Sequence, residues 1–138
     1  TSEVAMKLFA TGDMYVAQKK YTEALRIYDS IYNQFQNHSL NDDILFRKSQ
    51  VFKIQQMQDK AIDVLKRLEE EFPASIILDK ALFNIAKLYQ DDLNDFESAK
   101  KYYRKILFDH PSSLYVIDAR KRFRKLSGKT NQNINKSS

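Results

Sequence analysis

Residues 60–83 read KAIDVLKRLEEEFP and then ASIILDKALF. The first part has the apolar spacing of a helix, and Pro73 ends that helix because proline cannot donate the next helical hydrogen bond. Ser75 follows two residues later and is a candidate N-cap, since a serine hydroxyl accepts a hydrogen bond from a free amide. The same arrangement recurs at Pro111 and Ser113. The pattern predicts a chain built from a repeated unit of helix, stop and helix.

A repeat of 37 residues is visible in the pairs Leu-Phe that begin at positions 8, 45 and 82. Further columns of like residues recur at this step, and within each half of the repeat the column positions are spaced by four and then three residues, as on one face of a helix. The last step in the second half is 38, so we place one extra residue in the polar turn 91–95. The columns are Gly12, Ser49 and Ala86; Tyr15, Phe52 and Tyr89; Ala24, Ala61 and Ala99; Tyr28, Leu65 and Tyr103; and Ile31, Leu68 and Ile106. The columns predict three pairs of helices: 3–18 with 22–36, 42–56 with 59–71, and 76–90 with 95–109.

A seventh helix, predicted at 113–126, has a different outer side. Its apolar stripe packs on the last pair, whereas its other side is basic and offers no surface for a further helix. The predicted basic patch consists of Arg120, Lys121, Arg124 and Lys125. We interpret this helix as a cap, because the end of a stack of repeats needs a solvated outer face. Residues 127–138 are polar, and we predict that they form a disordered tail.

Composition narrows the class of protein further. The chain has 138 residues, 30% of them charged, with a mean hydropathy of −0.58 and no cysteine. These values are typical of one helical domain without disulfides, and no apolar run reaches the length of a membrane span. The basic character is local, because residues 111–138 carry a net charge of +6. Since the chain begins Thr1-Ser2 without a methionine, we expect it to be a piece of a longer protein.

In its repeat pattern the chain resembles three tetratricopeptide repeats, at about 5–38, 42–75 and 79–113, within a domain spanning 1–126. The marks are a small residue, an aromatic three later, an alanine early in the second helix and a closing proline, although Gln36 replaces that proline in the first repeat. The resemblance implies an all-α, right-handed α-solenoid of three helix pairs plus a C-terminal capping helix. It also implies a non-catalytic scaffold whose concave groove, lined by the first helices, binds a peptide or protein partner. Self-association is left open.

The long repeat and its Pro-x-Ser connection are similar to those of bacterial cell-envelope members, such as the outer-membrane assembly lipoprotein and the Tol-Pal coordinator. This similarity implies a cell-envelope or periplasmic location and leaves the cytoplasm open.

Groove candidates are the side chains expected on the exposed flank of the first helices. Phe9, Phe46 and Phe83 recur once per repeat and form either an aromatic ladder for an apolar peptide or ordinary core between neighbouring helices, since large aromatic side chains are usually buried. The polar candidates beside them are Asp13, Gln50, Lys53, Lys87 and Gln90. Taken singly, each of these is better explained as part of a solvated face, whereas together they would give polar contacts beside the ladder.

The alternative function is anion binding through the basic patch, to nucleic acid or to an acidic membrane surface. Nucleic acid is not the expected partner, because no recognisable binding module or interleaved aromatic residues accompany the patch.

No catalytic residue, metal site or cofactor is predicted. His38 and His110 lie at helix ends without a nucleophile at helical spacing, and the acidic turn 91–95 lacks the central glycine and closing glutamate of a calcium loop. Two glycines in the whole chain do not make a phosphate-binding loop.

Overall fold

The computed structural model describes residues 2–36 and 38–136, with side chains described as far as Gly128. Over these residues the chain is all-α, without a strand. The seven α-helices are α1 (Ser2–Ala17), α2 (Tyr21–Gln34), α3 (Asn41–Ile54), α4 (Gln58–Glu71), α5 (Leu78–Lys87), α6 (Phe96–Asp109) and α7 (Val116–Lys136). They form two compact units, the first ending at Phe72 and the second beginning at Pro73. None of the described helices combines the length and apolar character needed to cross a membrane.

The first unit contains α1 to α4, in which α1 packs on α2, α2 on α3 and α3 on α4. Its core includes Tyr28 and Ile31 from α2 together with Ile44 and Val51 from α3. The second unit contains α5, α6 and α7, and α6 packs on both of the others. Both units are all-α assemblies of consecutive helices, which is the α-solenoid class that the sequence predicts.

The predicted columns of the second helices coincide with buried positions. The alanines Ala24, Ala61 and Ala99 are fully buried, which allows two helix backbones to approach closely at each of these points. The large apolar columns of the second helices have exposures of 1% or less: Tyr28, Leu65, Tyr103, Ile31, Leu68 and Ile106. Periodicity in the sequence therefore identified the packed face of α2, α4 and α6.

Each helix pair is joined by a turn whose backbone is left-handed at one residue. The φ angles are 60° at Lys19, 60° at Gln56 and 52° at Asn94, positions that correspond in the repeat register. None of the three is a glycine, the residue best suited to this region, although asparagine tolerates it.

The extra residue of the third repeat lies in this same turn. The amide of Met57 donates to the carbonyl of Phe52 at 2.8 Å, five residues back, whereas the amide of Asp95 donates to Tyr89 at 2.9 Å, six residues back. A π-helical turn, Leu88–Asp92, widens the end of the helix that begins with α5 and accommodates the insertion.

Ser75 and Ser113 do not cap helices as predicted, because α5 and α7 begin three residues after them. Each hydroxyl instead accepts a hydrogen bond from the amide two residues later, Ile77 at 3.2 Å and Tyr115 at 3.0 Å. Such short turns redirect the chain before the helix starts.

The first repeat makes the same turn with a histidine. His38 occupies the register position of the two serines, and its Nδ1 accepts from the Leu40 amide at 3.0 Å. A ring nitrogen thus replaces a hydroxyl oxygen as the acceptor.

We expect His38→Ala to destabilise the protein by about 0.5–1.5 kcal/mol, since it removes one intramolecular acceptor. His38→Ser should retain most of the stability, because serine performs this role in the other two connections. Urea unfolding of the two variants checks this. Equal losses in both would show that the imidazole ring, and not the acceptor, matters.

The C-terminal helix is longer than predicted. α7 extends to Lys136, so residues 127–136, predicted as disordered tail, are helical. This stretch lacks proline, and its single glycine costs a helix only about 1 kcal/mol. Residues 137 and 138 lie outside the described part of the chain. α7 packs on α6, and both Ala119 and Leu126 are fully buried, consistent with a capping role.

Candidate functional site

The first unit has an open cleft of about 320 Å³ between α1 and α3. Both apolar and polar side chains line it. The lining residues are Asp13, Val16, Ala17, Tyr28, Arg47, Gln50 and Val51. We call this the first-helix cleft. Two of the predicted groove residues, Asp13 and Gln50, therefore meet in one place.

Arg47 and Asp13 form the charged part of the cleft. The Arg47 Nε lies 3.4 Å from an Asp13 carboxylate oxygen, with the side chains 44% and 38% exposed. The Tyr28 hydroxyl donates a hydrogen bond to the same Asp13 oxygen. Burial, and then the hydrogen bond to Asp13, raise the pKa of Tyr28 above its usual range, while Arg47 opposes this. Asp13 is thus occupied within the protein, whereas Arg47 keeps nearly half of its side chain available.

Arg47 also covers an aromatic ring. Its guanidinium carbon lies 5.4 Å from the centre of the Phe9 ring, a cation–π distance. This contact holds the long side chain of Arg47 across α1.

The second unit has a related arrangement at the end of α5. The Gln90 Oε1 accepts from the Tyr103 hydroxyl at 2.6 Å and from Arg122 Nη1 at 3.0 Å. Arg122 also lies 3.4 Å from Asp91 and 6.0 Å from the centre of the Phe83 ring. In both units, therefore, an arginine from the following helix bridges a phenylalanine and a polar partner of a buried tyrosine.

Burial raises the pKa of Tyr103 to about 12, from a usual 10.0, although the charge of Arg122 acts in the opposite direction. The folded protein then holds this proton more tightly than the unfolded chain does. The resulting stabilisation is complete below pH 10 and is lost as the pH rises towards 12.

We therefore expect the urea midpoint of the wild type to fall more steeply between pH 10 and 12 than that of Tyr103→Phe, which has no such proton. Tyr21→Phe, at a less buried tyrosine, serves as the control and should follow the wild type. Parallel curves for wild type and Tyr103→Phe would contradict the pKa shift.

The three phenylalanines do not form an exposed ladder. Phe46 and Phe83 are only 5% and 6% exposed, and the Phe83 ring contacts those of Tyr103 and Tyr115 at centroid distances of 5.9 and 5.0 Å. Phe9 is partly buried beneath Arg47. This corrects the groove interpretation for Phe46 and Phe83, because a ring surrounded by other side chains has no free face for a ligand.

The predicted polar residues have different environments. Gln50 and Lys53 on α3 are exposed, whereas Lys87 and Gln90 are half-buried. Lys87 lies over the Phe83 ring at 5.5 Å, and Gln90 is engaged by Tyr103 and Arg122. Gln50 and Lys53 thus remain the predicted groove residues with the most accessible side chains.

All four residues of the predicted basic patch are exposed on α7: Arg120, Lys121, Arg124 and Lys125. None of the four forms an ion pair with another residue among those the structure describes. Arg122, between them, faces the other way and pairs with Asp91.

Sequence reasoning missed Arg47 and Arg122. They occupy the same register position, directly after the phenylalanine column, in the second repeat and in the capping helix, but the first repeat has Ala10 there and the third has Asn84. The interrupted column hid the signal. A comparison of the second repeat with the capping helix would have revealed it.

Models of the tetratricopeptide repeat match residues 8–38, 43–75 and 79–107. No curated protein sequence matches the chain. Among solved structures, the yeast Sti1 TPR2AB domain in complex with pHSP90 aligns with a TM-score of 0.77 at 18% identity, covering 96% of this chain and 51% of that one. A tetratricopeptide repeat protein from Parabacteroides merdae aligns at 0.71 with 24% identity, covering 92% and 47%. The first TPR of Spaghetti (RPAP3), bound to the HSP90 peptide SRMEEVD, aligns at 0.69 with 21% identity, covering 95% and 96%.

The chain spans about half the length of the first two of these structures. At these identities the alignments establish the fold. Domains of this kind are generally protein-interaction modules without catalytic activity. Because the repeat models match three successive segments covering most of residues 8–107, the chain belongs to the tetratricopeptide repeat family.

Proposed function

We propose that the chain is a non-catalytic interaction module that binds a segment of a partner protein in the groove beside α1 and α3, the first helices of its first unit. The observation that carries this proposal is the first-helix cleft, whose volume of about 320 Å³ is at the lower end of the range for ligand sites. A cleft of this size accepts one or two side chains of a peptide. The complex of the structurally similar Sti1 domain with pHSP90 and that of the Spaghetti domain with an HSP90 peptide support the class of partner.

The lining of the cleft suggests what an anchoring side chain needs. Val16 and Val51 provide an apolar wall, and Gln50 and the accessible part of Arg47 provide hydrogen-bond donors. An apolar side chain next to a backbone carbonyl or other acceptor meets both requirements. The carboxylate of Asp13 neutralises much of the charge of Arg47, so a partner need not be strongly acidic.

Peptides selected from a random display library on the immobilised protein test the proposal. We expect Gln50→Trp, which fills the cleft from an exposed position, to weaken their binding at least tenfold without changing the melting temperature. Asp63→Trp, at an exposed position on α4 that does not line the cleft, is the matched control. Selected peptides that bind both variants like the wild type would exclude the cleft as the anchor.

A second candidate function is binding of phosphate groups through the basic patch. The observation in its favour is the exposure of all four cations on α7, without a carboxylate partner in the described part of the chain. A single-stranded oligonucleotide and phosphatidylglycerol vesicles are suitable probes. Binding should fall steeply between low and moderate salt, and replacing the four cations by glutamine should abolish it. Salt-independent binding to either probe would contradict this candidate.

For the location we propose the bacterial cell envelope. The support is the long repeat and its Pro-x-Ser connections, in which Ser75 and Ser113 make the same turn. Fractionation of cells producing the full-length protein tests this proposal.

A further inference from the structure

The second unit has three strongly exposed apolar side chains where α6 is followed by α7. Phe108, near the end of α6, is 75% exposed, Leu114 in the connection is 95% exposed, and Ile117 at the start of α7 is 63% exposed. The connection is short, and the two helices pack on one another. Single exposed apolar residues are common in proteins, but several in one place mark a contact surface.

Each of the two helices carries a stripe of one apolar side chain and two cations, spaced by three and four residues. In both stripes the apolar residue is the one nearest the connection. The stripes are Lys101, Arg104 and Phe108 on α6, and Ile117, Arg120 and Arg124 on α7. All six side chains are exposed. Glu97, one turn before Lys101, pairs with Lys100 at 2.9 Å.

A contact between the helices brings the stripes side by side. The guanidinium carbon of Arg104 lies 5.4 Å from the centre of the Phe123 ring. Phe123 is half-buried and lies beside Arg120 and Arg124 on the surface of α7. We call the surface formed by the two stripes the α6–α7 face. Its six residues carry four positive charges and no negative charge.

The carboxylates near the connection point away from this face. Asp109 is five residues from Arg104, and Asp118 is five residues from Phe123, so each lies about 140° around its helix from the contact between α6 and α7. Asp109 instead lines a groove that it shares with Asp79 and with no residue of the face. The positive charge of the face is therefore not neutralised by these carboxylates.

The combination of cations and exposed apolar side chains selects the kind of partner. An anionic membrane offers phosphate groups to the cations and an apolar layer to Phe108, Leu114 and Ile117. Nucleic acid also offers phosphate groups, but its bases stack on aromatic rings and give little to aliphatic side chains such as Leu114 and Ile117. The aliphatic residues thus favour lipid.

We propose that the α6–α7 face binds peripherally to membranes rich in anionic phospholipid. Phe108, Leu114 and Ile117 enter the boundary between headgroups and acyl chains, and the four cations contact lipid phosphates. This proposal rests on the second candidate function, because Arg120 and Arg124 also belong to the basic patch. It adds an apolar contact that phosphate binding alone does not need.

Co-sedimentation of the whole chain with vesicles tests the proposal. We expect binding to vesicles rich in phosphatidylglycerol and at least about tenfold weaker binding to phosphatidylcholine vesicles. The double variant Phe108→Ser/Ile117→Ser should bind the anionic vesicles at least about tenfold more weakly at an unchanged melting temperature. Arg120→Gln/Arg124→Gln should have a similar effect, since each cation near an anionic surface contributes about fivefold.

Matched controls come from the first unit. Met6→Ser removes an apolar side chain that is 60% exposed on α1, and Lys20→Gln/Arg26→Gln removes two exposed cations. Both control variants should bind like the wild type. Wild-type binding by Phe108→Ser/Ile117→Ser would overturn the proposal while leaving phosphate binding by the basic patch intact.

Insertion itself can be measured with a fluorescent side chain. The chain has no tryptophan, so Phe108→Trp provides a single reporter. We expect its emission to move to shorter wavelength on phosphatidylglycerol vesicles and to be quenched by lipids brominated in their acyl chains. Bound protein with unchanged emission would indicate adsorption to headgroups alone and would overturn the proposal without affecting the second candidate function.

Two further outcomes would assign the face to another partner and overturn the proposal. One is binding of a single-stranded oligonucleotide without binding of vesicles. The other is dimerisation of the free protein in sedimentation velocity that Phe108→Ser abolishes, which would show that a second copy covers the face.

Discussion

Phe46→Ala is expected to destabilise the protein by about 3–5 kcal/mol, because it removes a buried aromatic ring and leaves a cavity. Phe46 is 5% exposed, so almost all of its apolar surface loses its packing partners in the variant. Urea unfolding at neutral pH, followed by far-UV circular dichroism, measures the loss. A change below about 1 kcal/mol would mean that the ring faces solvent and is free to contact a ligand.

Alanine substitutions of the other two phenylalanines provide a comparison for the loss of stability at Phe46. Phe83 is 6% exposed, so Phe83→Ala should cost nearly as much as Phe46→Ala. Lys121 stands where a fourth phenylalanine would continue the column, but the rings of Tyr103 and Tyr115 cover Phe83 instead. Phe9→Ala should have a smaller effect, since that ring is only partly buried and is covered in part by Arg47.

Gly12→Ala should destabilise the protein by about 1–3 kcal/mol although alanine is the better helix former. A Cβ atom at Gly12 would lie 2.5 Å from Tyr28 Cε1 and 2.9 Å from Cδ1, closer than non-bonded carbon atoms approach. Tyr28 is fully buried and its hydroxyl is bound to Asp13, so its ring has little room to move aside. Thermal unfolding measures the effect.

Gly128→Ala is the matched control. A Cβ atom there would meet nothing within 4 Å, so the helix-propensity gain of about 1 kcal/mol is not offset by a clash. The two substitutions should therefore shift the melting temperature in opposite directions. A stabilising Gly12→Ala would contradict the close approach of α1 to Tyr28.

The residues of the middle repeat indicate a second substitution that should compensate for a larger side chain at position 12. There the small position holds Ser49 and the facing position holds Leu65, a slimmer side chain than tyrosine. Adding Tyr28→Leu to Gly12→Ser should recover part of the stability that Gly12→Ser alone loses, as expected for residues in contact.

Several features of the fold could be read from the residues because they follow from local chemistry. A spacing of four and three between apolar residues specifies which side of a helix is packed, and Pro73 and Pro111 mark helix ends whatever surrounds them. These rules act within one or two turns. For the same reason the family resemblance, which rests on such local marks, was confirmed by the repeat models.

The sites were harder to predict, since they depend on atoms far apart in the sequence. Gln50 and Asp13 were named as groove residues, but their meeting with Arg47 in one cleft depends on how α1 and α3 pack. The burial of Asn41 was not predicted, because an asparagine after a loop is typical of an exposed helix start. Its burial became visible only in the packed first unit.

The sequence by itself determined the repeat, the all-α class, the number of helix pairs and the residues of the core columns, because helical periodicity is a local property of the chain. Only the tertiary structure decided that Phe46 and Phe83 are core, that α7 continues to Lys136, and that Asn41 is buried. Burial of a side chain depends on neighbours contributed by other helices, and no spacing along one helix specifies them.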